Sequence, residues 1–164
     1  EADAPPQRPE ARPAARQEQQ HRHQPEAKLQ PLTQAGRFSP PMRGAKRFLV
    51  LGGDDGSCFH DSVEMLDAES MSFSTGPTMG SKRSSCAVVT SGDGRVLVLG
   101  GCVGAKCLDS TEVLSIESMS FTPGPTMSVR RAACAAAVLD GQRALVLGGR
   151  DRSTRLETTE ILDL

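Results

Sequence analysis

Gly52-Gly53-Asp54-Asp55-Gly56 has the composition of a loop that could cradle a phosphate. Such a cradle needs its glycine loop to open a helix, whose first amides meet the anion. Here the pair recurs as Gly100-Gly101 and Gly148-Gly149, once every 48 residues and each time at the end of an apolar run. A loop repeated between strands reads as a structural turn, so these six glycines are assigned to the scaffold. His60 is the single histidine beyond residue 45, which leaves one possible base for any Ser-His-acid or Cys-His arrangement, and no Gly-x-Ser-x-Gly elbow accompanies it. Cys102 and Cys107 share one loop, with Cys58 in the neighbouring one, but the spacing is not Cys-x-x-Cys and no His joins them. His21 and His23 lack further ligands nearby and read as solvated side chains. The chain is therefore expected to be no enzyme, with no catalytic residue, no cofactor and no metal.

Charged side chains are more informative. Lys82-Arg83 and Arg130-Arg131 stand one period apart, each just after a Gly-Pro-Thr-Met segment. On a loop face they would form a positive ring suited to acidic groups; buried, they would pair with Glu64, Glu112 or Glu160, which share the same period. Both placements stay open at this level. Arg47 and Arg95 recur at strand starts, and Glu69 and Glu117 just past later strands, so Arg47–Glu69 and Arg95–Glu117 are expected to meet across hairpins. The segments after Gly-Gly (54–61, 102–109 and 150–157) vary where the strands do not: Asp54-Asp55, Cys102-Val103 and Arg150-Asp151. Variable loops on a repeated scaffold are where recognition concentrates.

A formal charge of −1 provides no electrostatic footprint for nucleic acid or an anionic membrane. No apolar stretch approaches the roughly 20 residues that span a bilayer. Five cysteines cannot all pair within one chain. Together with Cys86 and Cys134 inside apolar strands, this leans towards a reducing, intracellular and cytoplasmic setting. The chain opens on Glu1 with no signal-like segment and reads as a fragment.

Two unlike halves position these residues. Residues 1–45 carry eight of the eleven prolines among Gln, Arg, Glu and Ala, and are expected to form a disordered tail or linker. From 46 to 164 each period divides into four short pieces. Ser84–Thr90 predicts a first strand, Ser91-Gly92-Asp93-Gly94 a turn, Arg95–Leu99 a buried second strand, Ser110–Ile116 a third and Met119–Thr122 a fourth. Four short strands per unit describe one blade of a β-propeller.

The chain resembles the kelch-repeat family. An apolar strand ending in Gly-Gly is followed by Leu66 and, after six residues, Phe73; the next copy repeats this with Leu114 and Phe121, where the family carries Tyr and Trp. The resemblance implies an all-β fold: about two and a half four-stranded blades of a kelch-type β-propeller over 46–164. A propeller closes with four to eight blades, so the remaining blades must come from the same protein or from self-association. It further implies a protein–protein interaction module, scaffold or adaptor, binding a possibly acidic protein partner through a loop face. That face would carry Lys82, Arg83, Arg130, Arg131, Asp54, Asp55, Arg150 and Asp151. The alternative is part of an enzyme whose catalytic residues lie on blades outside this chain.

Overall fold

The computed structural model describes residues 46–164, and the expectations for the tail and for His21 and His23 lie outside these residues. The described residues form fourteen strands and no helix. In chain order they are β1 (Arg47–Leu51), β2 (Val63–Asp67), β3 (Ser72–Thr75), β4 (Ala87–Thr90), β5 (Arg95–Leu99), β6 (Cys102–Val103) and β7 (Lys106–Cys107). There follow β8 (Thr111–Ser115), β9 (Ser120–Pro123), β10 (Ala135–Val138), β11 (Arg143–Leu147), β12 (Arg150–Asp151), β13 (Thr154–Arg155) and β14 (Thr159–Asp163).

One complete antiparallel blade, β4-β5-β8-β9, is flanked by two three-stranded ones, β1-β2-β3 and β10-β11-β14. The pairs β6-β7 and β12-β13 are small hairpins, where the sequence predicts plain loops. The period fixes the register: Leu66 lies opposite Phe73 and Leu114 opposite Phe121, so the six-residue gap is the connection of a tight antiparallel pair.

Two local predictions need correction. The first strand begins at Ala87 and not Ser84, because Ser85 adopts φ 53°, a left-handed residue that ends regular pairing; Ala133 repeats this at φ 51°. The ion pairs also differ. Arg47 faces Asp67 in the register, with Nε 3.9 Å from its carboxylate, and Arg95 reaches back to Asp93 at 2.7 Å. Glu69 and Glu117 lie in the turns beyond the strand ends, out of line with those arginines.

The stack is held by apolar side chains that alternate along each second strand, as the two-residue strand period requires. Leu49 and Leu51 of β1 join Val63, Met79 and Val98 between the first and second blades. Leu97 and Leu99 of β5 join Ala87, Val89, Ala144, Val146 and Leu162 between the second and third. The middle blade thus buries both faces, with Val96, Leu97, Val98 and Leu99 all 3% exposed or less. The outer blades each show one bare face. Phe48 and Val50 are 57% and 49% exposed although they hold the repeat positions of buried Val96 and Val98. At the other end Leu147 and Ile161 are exposed.

Candidate interaction face

The segments linking one blade to the next gather at one end of the stack. Arg83 N–H donates to the His60 carbonyl at 2.9 Å, and Gly53 N–H donates to the Arg83 carbonyl at 2.7 Å. One period on, Arg131 N–H donates to Leu108 O at 3.0 Å and Gly101 N–H to Arg131 O at 2.8 Å. Ser84 then pairs with Cys102, and Ala132 with Arg150, through isolated bridges. Each exit segment is thereby sewn to the Gly-Gly turn of its own blade and to the hairpin of the next.

This arrangement corrects the expectation for Arg83 and Arg131. Their exposures are 0% and 1%, so neither guanidinium belongs to a surface ring. Arg83 Nη1 donates to the carbonyls of Gly100 (2.8 Å) and Ser110 (2.9 Å), and Nη2 donates to Ser110 Oγ (3.0 Å). Nε and Nη2 both donate to Glu112 Oε1, at 3.1 and 2.9 Å. A buried guanidinium needs every donor satisfied, and its planar fork does this while tying strand-end carbonyls together. Arg131 repeats the pattern on Gly148 O, Thr158 O and Thr158 Oγ1. Its carboxylate partner, Glu160, stands 3.9 Å off and accepts from Ser128 N–H (2.6 Å) and Oγ–H (3.0 Å), leaving the buried Arg131 Nε without a partner. The second clamp is the looser one.

Glu112 does more than neutralise Arg83. Its oxygens accept the N–H groups of Gly80 (2.6 Å) and Ser81 (3.1 Å) from the preceding exit segment. The 48-residue recurrence of Glu64, Glu112 and Glu160 carries this signal in the sequence, while the backbone partners are visible only in three dimensions. Glu64, with no preceding exit segment among the described residues, is exposed.

The remaining predicted site residues do lie at the surface of this end. Lys82, Arg130, Arg150, Asp54 and Asp55 are exposed, and Asp151 is half-buried with Oδ1 unpartnered. Asp55 is committed to its own turn: Oδ1 accepts from Ser57 and Cys58 N–H at 2.8 and 2.7 Å, and His60 Nε2 stands 3.3 Å from Oδ2. The Cys58 and Ser57 amides, with His60 behind them, hold its carboxyl below the usual value of 3.8. Arg130 shares its charge with Asp109 at 3.8 Å.

Two cations missed at the sequence level complete the cluster. Lys106 opens β7 beside the β6-β7 turn and Arg152 lies in the β12-β13 turn, which residues 102–109 and 150–157 could not disclose when read as loops. The hairpins are adjacent, since Arg152 N–H donates to Cys107 Sγ at 3.1 Å. Between them runs an open groove of about 380 Å³ lined by Cys102, Gly104, Cys107, Arg150, Arg152 and Ser153. Two guanidinium-bearing residues on one wall suit it to a carboxylate-rich segment. The six repeat glycines all adopt positive φ. No group of three or more His, Cys, Asp or Glu able to hold a metal occurs among the described residues, and no helix there is long and apolar enough to cross a membrane.

Residues 83–128 match the family model described as the Kelch motif. The match opens on the buried Arg83 and closes on Ser128, and so takes in the whole four-stranded blade. No curated protein matches the chain at a significant level.

Proposed function

Because this is a kelch-repeat chain, we infer that it works as a protein–protein interaction module and receives a partner on the hairpin end of the blade stack. The observation that carries this reading is the contrast between invariant and variable parts of the repeat. The Gly-Gly turns, the arginine clamps and their hydrogen bonds recur at the same period. The hairpin segments above them vary in side-chain chemistry, most at their first position: Asp54-Asp55-Gly56-Ser57, Cys102-Val103-Gly104-Ala105 and Arg150-Asp151-Arg152-Ser153. A rigid frame presenting unlike loops is the arrangement that recognition sites use.

The partner surface is acidic where it meets the second and third blades. Lys82, Lys106, Arg130, Arg150 and Arg152 are exposed there, against Asp109 and half-buried Asp151. Over the first blade Asp54 and Asp55 reverse the sign and would orient the partner by like-charge exclusion.

The test is a charge reversal, Lys82→Glu with Arg150→Glu and Arg152→Glu, in the full chain. Proteins retained by the native chain on an affinity column should be lost from the variant, with an unchanged β-type circular dichroism spectrum. Equal retention by a folded variant would remove the hairpin end from consideration.

A further inference from the structure

Cys102 and Cys107 face each other across the β6-β7 hairpin. Cys102 N–H donates to Ser84 O at 2.8 Å, and Cys102 O accepts from Ser84 N–H at 3.0 Å, so neither backbone group is spent on Cys107. One step outward the ladder resumes, with Leu108 N–H donating to Gly101 O at 2.9 Å. The two cysteines are thus a non-hydrogen-bonded pair. Such residues bring their Cα atoms to about 4.5 Å and put both side chains on one face of the hairpin. A disulfide accepts Cα separations from about 4.4 Å upward, so the backbone already meets its requirement.

Both residues line the groove between the hairpins, Cys102 half-buried and Cys107 buried. They are free thiols, and residues 1–45 contain no cysteine to compete for either. Cys102 Sγ stands 3.5 Å from Ser84 Oγ, while Cys107 Sγ accepts Arg152 N–H at 3.1 Å. Arg152 holds φ 53°, a left-handed conformation that a residue with a side chain adopts at a cost. A buried sulfur on one hairpin therefore fastens a strained turn on the next.

We propose that Cys102 and Cys107 form a reversible thiol–disulfide couple, oxidised by a low-molecular-weight disulfide such as glutathione disulfide, which releases the β12-β13 turn when it closes. The Cys102 thiolate, the more open sulfur, attacks one glutathione sulfur, forms a mixed disulfide and expels one glutathione thiolate. The Cys107 thiolate then attacks Cys102 Sγ and expels the second. One S–S bond breaks and one forms; the two cysteines give up two electrons and two protons, and two glutathione thiols result. In the mixed disulfide, the glutathione carboxylates would lie beside Arg150 and Arg152, which line the same groove. Closure turns the sulfurs towards each other and away from Ser84 Oγ and Arg152 N–H. It also draws the Cβ atoms from the cross-strand distance of about 4.5–5.5 Å to about 3.8 Å, and closes a ring too short to restrict the unfolded chain much. A disulfide strained in this way is readily reduced and acts as a switch. The couple stands whether or not the groove binds a partner.

The test treats the full chain with glutathione disulfide and maps its thiols by mass spectrometry. Trypsin leaves the five cysteines on five separate peptides, with Cys102 on 96–106 and Cys107 on 107–130. Those two peptides are expected to be joined and lighter by two hydrogens, and to part again in dithiothreitol. Arg152 N–H should exchange several-fold faster in the oxidised chain, while Arg150 N–H, held by Ala132 O at 2.9 Å, keeps its rate. Cys102→Ser should abolish both the linkage and the change at Arg152, and Cys86→Ser should leave both in place. The proposal is overturned if 96–106 and 107–130 stay unlinked, whether the thiols remain free or a glutathione adduct stops at Cys102. Linkage of either peptide to 84–95 or 132–143 in its place overturns it as well. Linkage without faster exchange at Arg152 also overturns it, since the pair would then be a staple that leaves the neighbouring turn untouched.

Discussion

Glu112 of the second blade holds Arg83 of the segment arriving from the first, its Oε1 accepting from Nε at 3.1 Å and Nη2 at 2.9 Å. The pair is the joint of the stack, because the same carboxylate takes the Gly80 and Ser81 amides and the same guanidinium takes two strand-end carbonyls. Removing one partner strands the other's charge in a region from which water is excluded. Arg83→Ala and Glu112→Ala should therefore each cost about 3–5 kcal/mol, as broken buried pairs do. Arg83→Lys should recover little, since an ammonium cannot span the carboxylate and both carbonyls. Glu160→Ala should cost less, with its carboxylate 3.9 Å from Arg131 and its side chain 15% exposed. Urea unfolding of the four variants checks the order, and equal losses for Glu112→Ala and Glu160→Ala would contradict it.

The repeat supplies its own control for the packing. Leu66 and Leu114 are the same position in successive copies and each faces a Phe across the hairpin. Leu114 is fully buried and Leu66 half-buried, because among the described residues only Leu114 has a preceding blade against it. Leu114→Ala should cost about 2–5 kcal/mol and Leu66→Ala less than half of that. Phe121, half-buried here, should fall between them. Shifts in the denaturation midpoint measure the difference. Equal midpoints for the two leucine variants would mean that the first blade is covered in solution.

Much of this architecture is legible in the sequence, and the reasons can be named. Gly52, Gly100 and Gly148 announce the period because only glycine serves at a left-handed position where another chain segment presses close. The alternation in Val96–Leu99 and the Leu114–Phe121 spacing then locate strands and hairpins. Burial of Arg83 was less accessible, since one arginine in a basic doublet suits a binding face and a buried clamp equally well. The choice depends on Glu112, 29 residues away and on the next blade. Hairpins β6-β7 and β12-β13 left no apolar alternation to read, because each strand is only two residues long.

Gly100 offers a sharper test of the turn. Its φ is 57°, and a Cβ built there would overlap the Arg131 carbonyl oxygen and crowd Met127. Gly94 has φ 83° but open space around it. Gly94→Ala should show the left-handed penalty alone, about 1–2 kcal/mol. Gly100→Ala adds displacement of a buried backbone segment and should exceed it clearly in thermal unfolding.

Four turns are fastened by carboxylates held below 3.8. Ser70 and Glu69 amides lower Asp67, Ser91 lowers Asp93, Arg143 lowers Asp140, and the Cys58 and Ser57 amides lower Asp55. A depressed pKa favours the folded state above the ordinary carboxylate value, and that contribution disappears as pH falls through the folded value. Thermal stability should thus be flat with respect to these groups above about pH 5 and decline below 3.8. Asp67→Asn should narrow the gap to the native chain as the pH drops through that window, and a constant gap would show that the turn does not depend on the charge.

Thiol reactivity separates the blade interior from the hairpin end. Burial pushes the Cys86 and Cys134 thiols above their ordinary value of 9.0, so less thiolate is present at any pH below it. Cys58 is exposed beside the Asp55 turn, and Cys107 is buried with its sulfur accepting the Arg152 N–H. Iodoacetamide at mildly alkaline pH should label Cys58 first and Cys86 and Cys134 last, as followed by peptide mass spectrometry. The order should collapse in urea, where all five become equivalent. Early labelling of Cys86 under native conditions would mean that the first two blades separate readily, which their shared core of Val63, Met79 and Val98 opposes.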